Sequence, residues 1–99
     1  MNDSRRSKLE IYADILRVLA HHGPLKQTHI MYNANVNCSL LKQFLDSLVQ
    51  QKLIEEQILH KKGQRTIYSI TERGKAVLVN FEEITLALQS KKEREIEVI

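Results

Sequence analysis

The stretch Leu53–Gly74, LIEEQILHKKGQRTIYSITERG, carries two runs of alternating apolar residues on either side of a loop made almost wholly of cations and one glycine. Ile54 and Ile58 share one side of the first run, and Tyr68 and Ile70 recur at the same period of two in the second. The pattern predicts two strands with one buried sheet face. The loop His60, Lys61, Lys62, Gly63, Gln64 needs a residue at positive φ, which Gly63 supplies without steric cost. A hairpin whose tip carries Lys61, Lys62 and Arg65 suits contact with phosphate. Lysines at a strand edge also keep it soluble, so the tip alone does not decide between the two uses.

Working outward, 99 residues with 42% apolar content match one domain with a single core. One proline and three glycines leave no stretch that reads as an interdomain linker. The single cysteine, Cys38, cannot form an intramolecular disulfide, and no charged start precedes an apolar signal segment. No apolar run approaches the ~18 residues of a membrane span. The expectation is a soluble cytoplasmic chain associated with the nucleoid. Residues 1–75 hold twelve Lys and Arg against seven Asp and Glu, a net +5, while 76–99 hold three against five, a net −2, together the overall +3. The basic excess therefore sits with the hairpin, compatible with nucleic acid at one pole and protein contact at the other.

Upstream, Ser7 followed by Glu10 forms a capping box that starts a helix over Ser7–His22. Tyr12, Ile15, Leu16 and Leu19 define its apolar face, widened by Ile11 and Val18. Gly23 suits a left-handed cap and Pro24 stops the helix. Leu25 and Lys26 are extended, and Gln27–Ala34 forms a short second helix with Ile30, Met31 and Ala34 inward. Asn37 is the N-cap of a third helix over Cys38–Gln51, with Val36 stapled onto Leu41. That helix buries Leu41, Phe44, Leu45 and Leu48 and exposes Ser39, Lys42, Gln43 and Asp46.

Two helices joined by a three-residue turn, followed at once by a basic hairpin, make a winged helix-turn-helix: α+β, mainly helical, three helices plus a hairpin wing. A helix of ~10–12 Å diameter fits the major groove. Lys42 suits guanine acceptors there, while Gln43 and Asn37 suit adenine, although capping competes for Asn37. Ser39 shares the outward face, and Asp46, which repels phosphate, marks the limit of the footprint. His60, Lys61, Lys62, Gln64 and Arg65 complete the expected DNA-binding set and fix the register on phosphates. Arg5 and Arg6 read as a flexible arm, either reaching DNA or without a role.

Thr71 caps a last helix over Glu72–Ser90, and Gly74 in its first turn is a packing glycine. Val77, Phe81, Ile84 and Leu88 recur at spacings of four, three and four, a seam over two heptads with Lys91 next. At ~1.5 Å per residue this helix is roughly 28 Å long, more than so small a domain covers. Its far half is expected to meet a second copy, giving a homodimer. Residues 1–75 are thus the DNA-binding unit and 76–99 the dimerisation helix and tail.

The run Thr28–Asn37, with Leu40, Leu41, Phe44 and Leu45 after it, resembles small ten-kilodalton archaeal winged-helix proteins associated with chromatin. Tyr68–Gly74 resembles their junction of wing and final helix, so the likeness spans Ile11–Phe81. It implies dimeric binding of double-stranded DNA, with the last helices paired as an antiparallel coiled coil. Cys38 stands where those proteins commonly carry an aromatic residue, and the C-terminal apolar repeat is short.

Other chemistries find little footing. His21, His22, His29, His60 and Cys38 show no CxxC or HxxxH spacing, so no metal is expected. The two adjacent histidines at a helix end interact with its dipole, and Cys38 lacks a partner that would make it a nucleophile. No phosphate-cradling glycine loop or paired carboxylates occur, and neither an enzyme nor a cofactor is expected. The competing function is a winged helix that docks a protein partner without DNA.

Overall fold

Ser7 starts the first helix as its spacing predicts: its side chain accepts from the Glu10 amide, and the Glu10 carboxylate accepts from the Ser7 amide at 2.8 Å. The computed structural model describes the backbone of residues 6–61 and 63–98 and the side chains of these up to Leu88. Its elements are α1 (Lys8–His22), β1 (Leu25–Lys26), α2 (Gln27–Ala34), α3 (Cys38–Gln50), β2 (Ile54–Leu59), β3 (Arg65–Ile70) and α4 (Glu72–Val98). The three strands form an antiparallel sheet in the order β1-β3-β2. Leu25 pairs with Tyr68, so the short extended piece before α2 is a third strand laid beside the hairpin.

The core lies where α1, α2 and α3 meet the base of the sheet. Ile15, Leu19, Ile30, Leu41, Leu45 and Ile54 are fully enclosed. All four residues expected to face inward from α3 are buried, and Val36 joins them just ahead of the helix. Each enclosed Leu or Ile contributes roughly 1.5–3 kcal/mol relative to exposure.

Several details differ from the sequence pattern. Gly23 has positive φ (84°) but ψ of −164°, a region open essentially to glycine alone, rather than the left-handed helical cap expected. The helix α3 stops one residue early, and Lys52 turns the chain at φ 63° while the Leu53 amide donates to Leu48 O. Along the hairpin only the base is covered: Ile54 and Tyr68 are buried, whereas Ile58 is 47% exposed. Burial is deepest at Ile54 and Tyr68, paired with Ile70 and Glu56 at the base, while Ile58 and Leu59 toward the tip are exposed. Arg6 is no loose arm. Its guanidinium donates to Asp14 Oδ2 at 2.8 Å, Ala34 O at 2.9 Å and Asn35 O at 2.6 Å, clamping the chain start onto the end of α2. Arg5 lies outside the described residues.

At the sheet's exit Thr71 does two jobs. Its hydroxyl accepts from the Gly74 amide at 3.0 Å and donates to Lys52 O at 2.8 Å, so one side chain both caps α4 and ties it to the turn after α3. Gly74 is a packing glycine: a Cβ there would run into the Leu53 carbonyl oxygen and the Ile70 side chain. From here α4 continues to Val98, well past Ser90, where the apolar pattern thins. Leu78 is buried on its inner side and Phe81 packs partly against the same core. Arg17 of α1 donates to Glu82 Oε2 at 3.0 Å and to Asp14 Oδ1 at 2.7 Å, bracing α1 against α4. The Glu82 carboxylate, with Asp14, holds the Arg17 guanidinium above its ordinary pKa.

Candidate nucleic-acid interface

The first turn of α3 is set by Asn37. Its side-chain oxygen accepts from the Leu40 amide at 2.9 Å and from the Ser39 hydroxyl at 3.3 Å. The cap therefore occupies the acceptor of Asn37 and the donor of Ser39, leaving the Asn37 amide nitrogen as its outward polar group. Cys38 is exposed beside them, with the Gln27 amide 3.8 Å from its sulfur.

One turn further, Lys42 and Gln43 are exposed, as their positions on the helix predict. Lys42 Nζ lies 3.4 Å from Asp46 Oδ1. The Tyr68 phenol, then Asp46 and Glu56, hold the Lys42 ammonium above its ordinary pKa. Burial raises the pKa of the Tyr68 phenol, and its hydroxyl donates to Glu56 Oε2 at 3.5 Å. Sequence reading missed this grouping of Lys42 with Glu56 and Tyr68. The pairing of Glu56 with Tyr68 follows from strand register once the loop is placed, but their nearness to α3 depends on how the hairpin base packs.

Beyond Leu59 the loop runs from His60 to Gln64, with Gly63 at φ 97° as expected. His60, Lys61, Gln64 and Arg65 are all exposed, and Lys62 lies outside the described residues. Among the described residues no ion pair engages Lys61 or Arg65. The expected set thus divides into two groups: Asn37, Ser39, Lys42 and Gln43 along the outward side of α3, and the cations at the projecting tip of the hairpin. Both groups face solvent.

The four seam residues divide as well. Val77 and Phe81 line an apolar groove of ≈ 350 Å³ with Leu9, Tyr12 and Leu16 of α1, while Ile84 and Leu88 are 60% and 62% exposed. Among the described residues no cluster of His, Cys, Asp and Glu is placed to hold a metal ion, and no helix is long and apolar enough to cross a membrane.

Comparison with known proteins agrees with this architecture. No curated protein matches the chain. A solved structure of Sso10a-2, a DNA-binding protein from Sulfolobus solfataricus, is 31% identical, with 95% of this chain and 97% of that one covered and a TM-score of 0.72. YodB from Bacillus subtilis, in a diamide-treated form, is 25% identical over 85% of this chain and 81% of its own, with a TM-score of 0.75. A MarR family transcriptional regulator from Silicibacter pomeroyi shares the fold at 18% identity, covering 79% of this chain and 51% of that chain, with a TM-score of 0.66. The likeness to Sso10a-2 bears out the archaeal winged-helix resemblance read from Thr28–Asn37. A family model described as winged helix-turn-helix matches residues 5–89, and the chain belongs to that family.

Proposed function

We propose that this protein binds double-stranded DNA as a homodimer and acts as a transcription regulator or chromatin-associated factor. The observation that carries the reading is the pairing of an exposed polar side of α3 with a hairpin whose described cations, Lys61 and Arg65, are engaged by no carboxylate among the described residues. In this reading α3 enters the major groove, and the hairpin lies along flanking phosphates and sets the register. Sso10a-2, which is similar over nearly the whole of both chains, is a DNA-binding protein, and this supports the same partner.

Dimerisation is assigned to α4. At ~1.5 Å per residue its 27 residues extend about 40 Å, beyond what one small domain covers. The outward Ile84 and Leu88 continue the line of Val77 and Phe81, an apolar strip that a second copy of the helix would cover. Residues 1–75 then act as the reading unit and 76–99 as the pairing element of one body.

Retention of a nonspecific duplex at low salt, falling steeply as salt rises, is the expected result of a gel-shift titration. No retention at low salt, or an affinity flat in salt, would rule out the DNA reading and favour a protein-docking role.

A further inference from the structure

The outward side of α3 is electrically balanced. Its exposed polar residues are Ser39, Lys42, Gln43, Asp46 and Gln50, with one cation and one anion among them. At 3.6 residues per turn, Asp46 lies angularly between Lys42 and Gln43, in the middle of that side rather than at its margin. Its carboxylate is 3.4 Å from the Lys42 ammonium, and both side chains are more than half exposed. Glu56 and Tyr68 influence the same ammonium from the hairpin base. A lone carboxylate here would repel phosphate, and the neighbouring Lys42 cancels that repulsion at short range. The helix adds no net attraction for the backbone of a duplex, which falls to the hairpin cations. What α3 presents is a row of hydrogen-bond donors and acceptors.

A G·C pair shows the major groove two guanine acceptors, N7 and O6, and one donor, the cytosine N4 amino group; Lys suits the first and Asp the second. Lys42 and Asp46 present the complementary donor and acceptor side by side. We propose that Asp46 is a specificity-determining residue, its carboxylate accepting from a cytosine N4 amino group while Lys42 donates to the guanine of the same pair. An A·T pair at that place sets the thymine O4 acceptor and methyl group against the carboxylate. The proposal rests on the duplex-binding reading above and goes beyond it, since it turns the one residue of this side that repels phosphate into a reader of bases.

Selection of bound fragments from a random duplex pool tests it, with the full-length chain, Asp46→Ala and Asp46→Asn, each checked for unchanged helix content. The wild-type chain should enrich a motif with a G·C position sensitive to residue 46. Asp46→Ala should lower discrimination against A·T there about ten- to a hundredfold and leave the rest of the motif unchanged. Asp46→Asn should move the preference toward A·T, because the Asn amide can donate to the thymine O4 that stands in place of the cytosine amino group. A uniform tightening on all duplexes with Asp46→Ala, or a motif without such a G·C position, overturns the proposal while leaving DNA binding intact. If the wild-type chain retains no duplex at low salt, the DNA reading itself falls and this proposal with it.

Discussion

Lys52 sits at φ 63° in the turn that ends α3, where helices usually place a glycine. A side chain in the left-handed region costs about 1–2 kcal/mol, partly offset by the greater entropy glycine loses on folding. Lys52→Gly should therefore raise stability by about 0.5–1 kcal/mol, seen as a higher denaturant midpoint at unchanged slope. A midpoint that fails to rise would show that the lysine side chain is held by something other than its turn. Tyr68 makes a second prediction. Burial raises its phenol above the ordinary value of 10.0, with Lys42 pulling the other way. Below that value the phenol is neutral in both folded and unfolded chains and the full stability is present. As pH climbs past it, the unfolded chain ionises first and stability is lost through the folded pKa. Between about pH 9 and pH 11 the wild type should lose more stability than Tyr68→Phe, and equal losses would discount the shift. Local signals of this kind differ in how legible they are. Ser7, Asn37 and Thr71 are readable caps because donor and acceptor lie three residues apart. Arg6 is not, since its acceptors Ala34 and Asn35 lie 28 and 29 residues away. Lys52 gives no sign at all, because the residue that would mark its turn is missing.

Among the elements, the three short helices were legible nearly to the residue, because their apolar periodicity and caps agree with one another. The hairpin was legible in its two strands and its loop but not in burial. Period two places Ile58 on the same side as Ile54, yet burial depends on how far the helices reach beneath the ribbon, which no local pattern records. Leu78 was missed for a related reason: the heptad spacing of Val77, Phe81, Ile84 and Leu88 describes one line along α4, whereas the line facing the protomer's own core runs beside it through Gly74 and Leu78. The projecting hairpin yields a prediction that belongs to it as a unit. Replacing Lys61, Lys62 and Arg65 by alanine should reduce affinity for all duplexes alike. It should also flatten the dependence of log affinity on log salt by about 0.9 for each phosphate that the hairpin no longer neutralises. An unchanged slope with lower affinity would mean that the hairpin acts by shape and not by charge.

For the whole molecule, the longest dimension is 61 Å against 30 and 21 Å, an elongation that α4 produces by running on past the body. A helix that leaves its own core while keeping Ile84 and Leu88 outward exposes apolar surface that water disfavours, and two copies facing each other remove both strips at once. Because these two side chains lie outside the protomer's buried core, they can be changed without opening it. Ile84→Glu with Leu88→Glu should leave helix content and the core's thermal transition in place while sedimentation shifts from dimer to monomer. In the proposed dimer two linked reading units would gain on a duplex through effective concentration, so the monomeric variant should bind about 10²-fold more weakly or worse with the hairpin cations untouched. A variant that still sediments as a dimer would place the pairing surface elsewhere, with the groove between α1 and α4 lined by Leu9, Tyr12 and Phe81 the next surface to change. A variant that becomes monomeric yet binds as tightly as before would show that each protomer reads its site alone, and that α4 pairs copies for a purpose other than affinity.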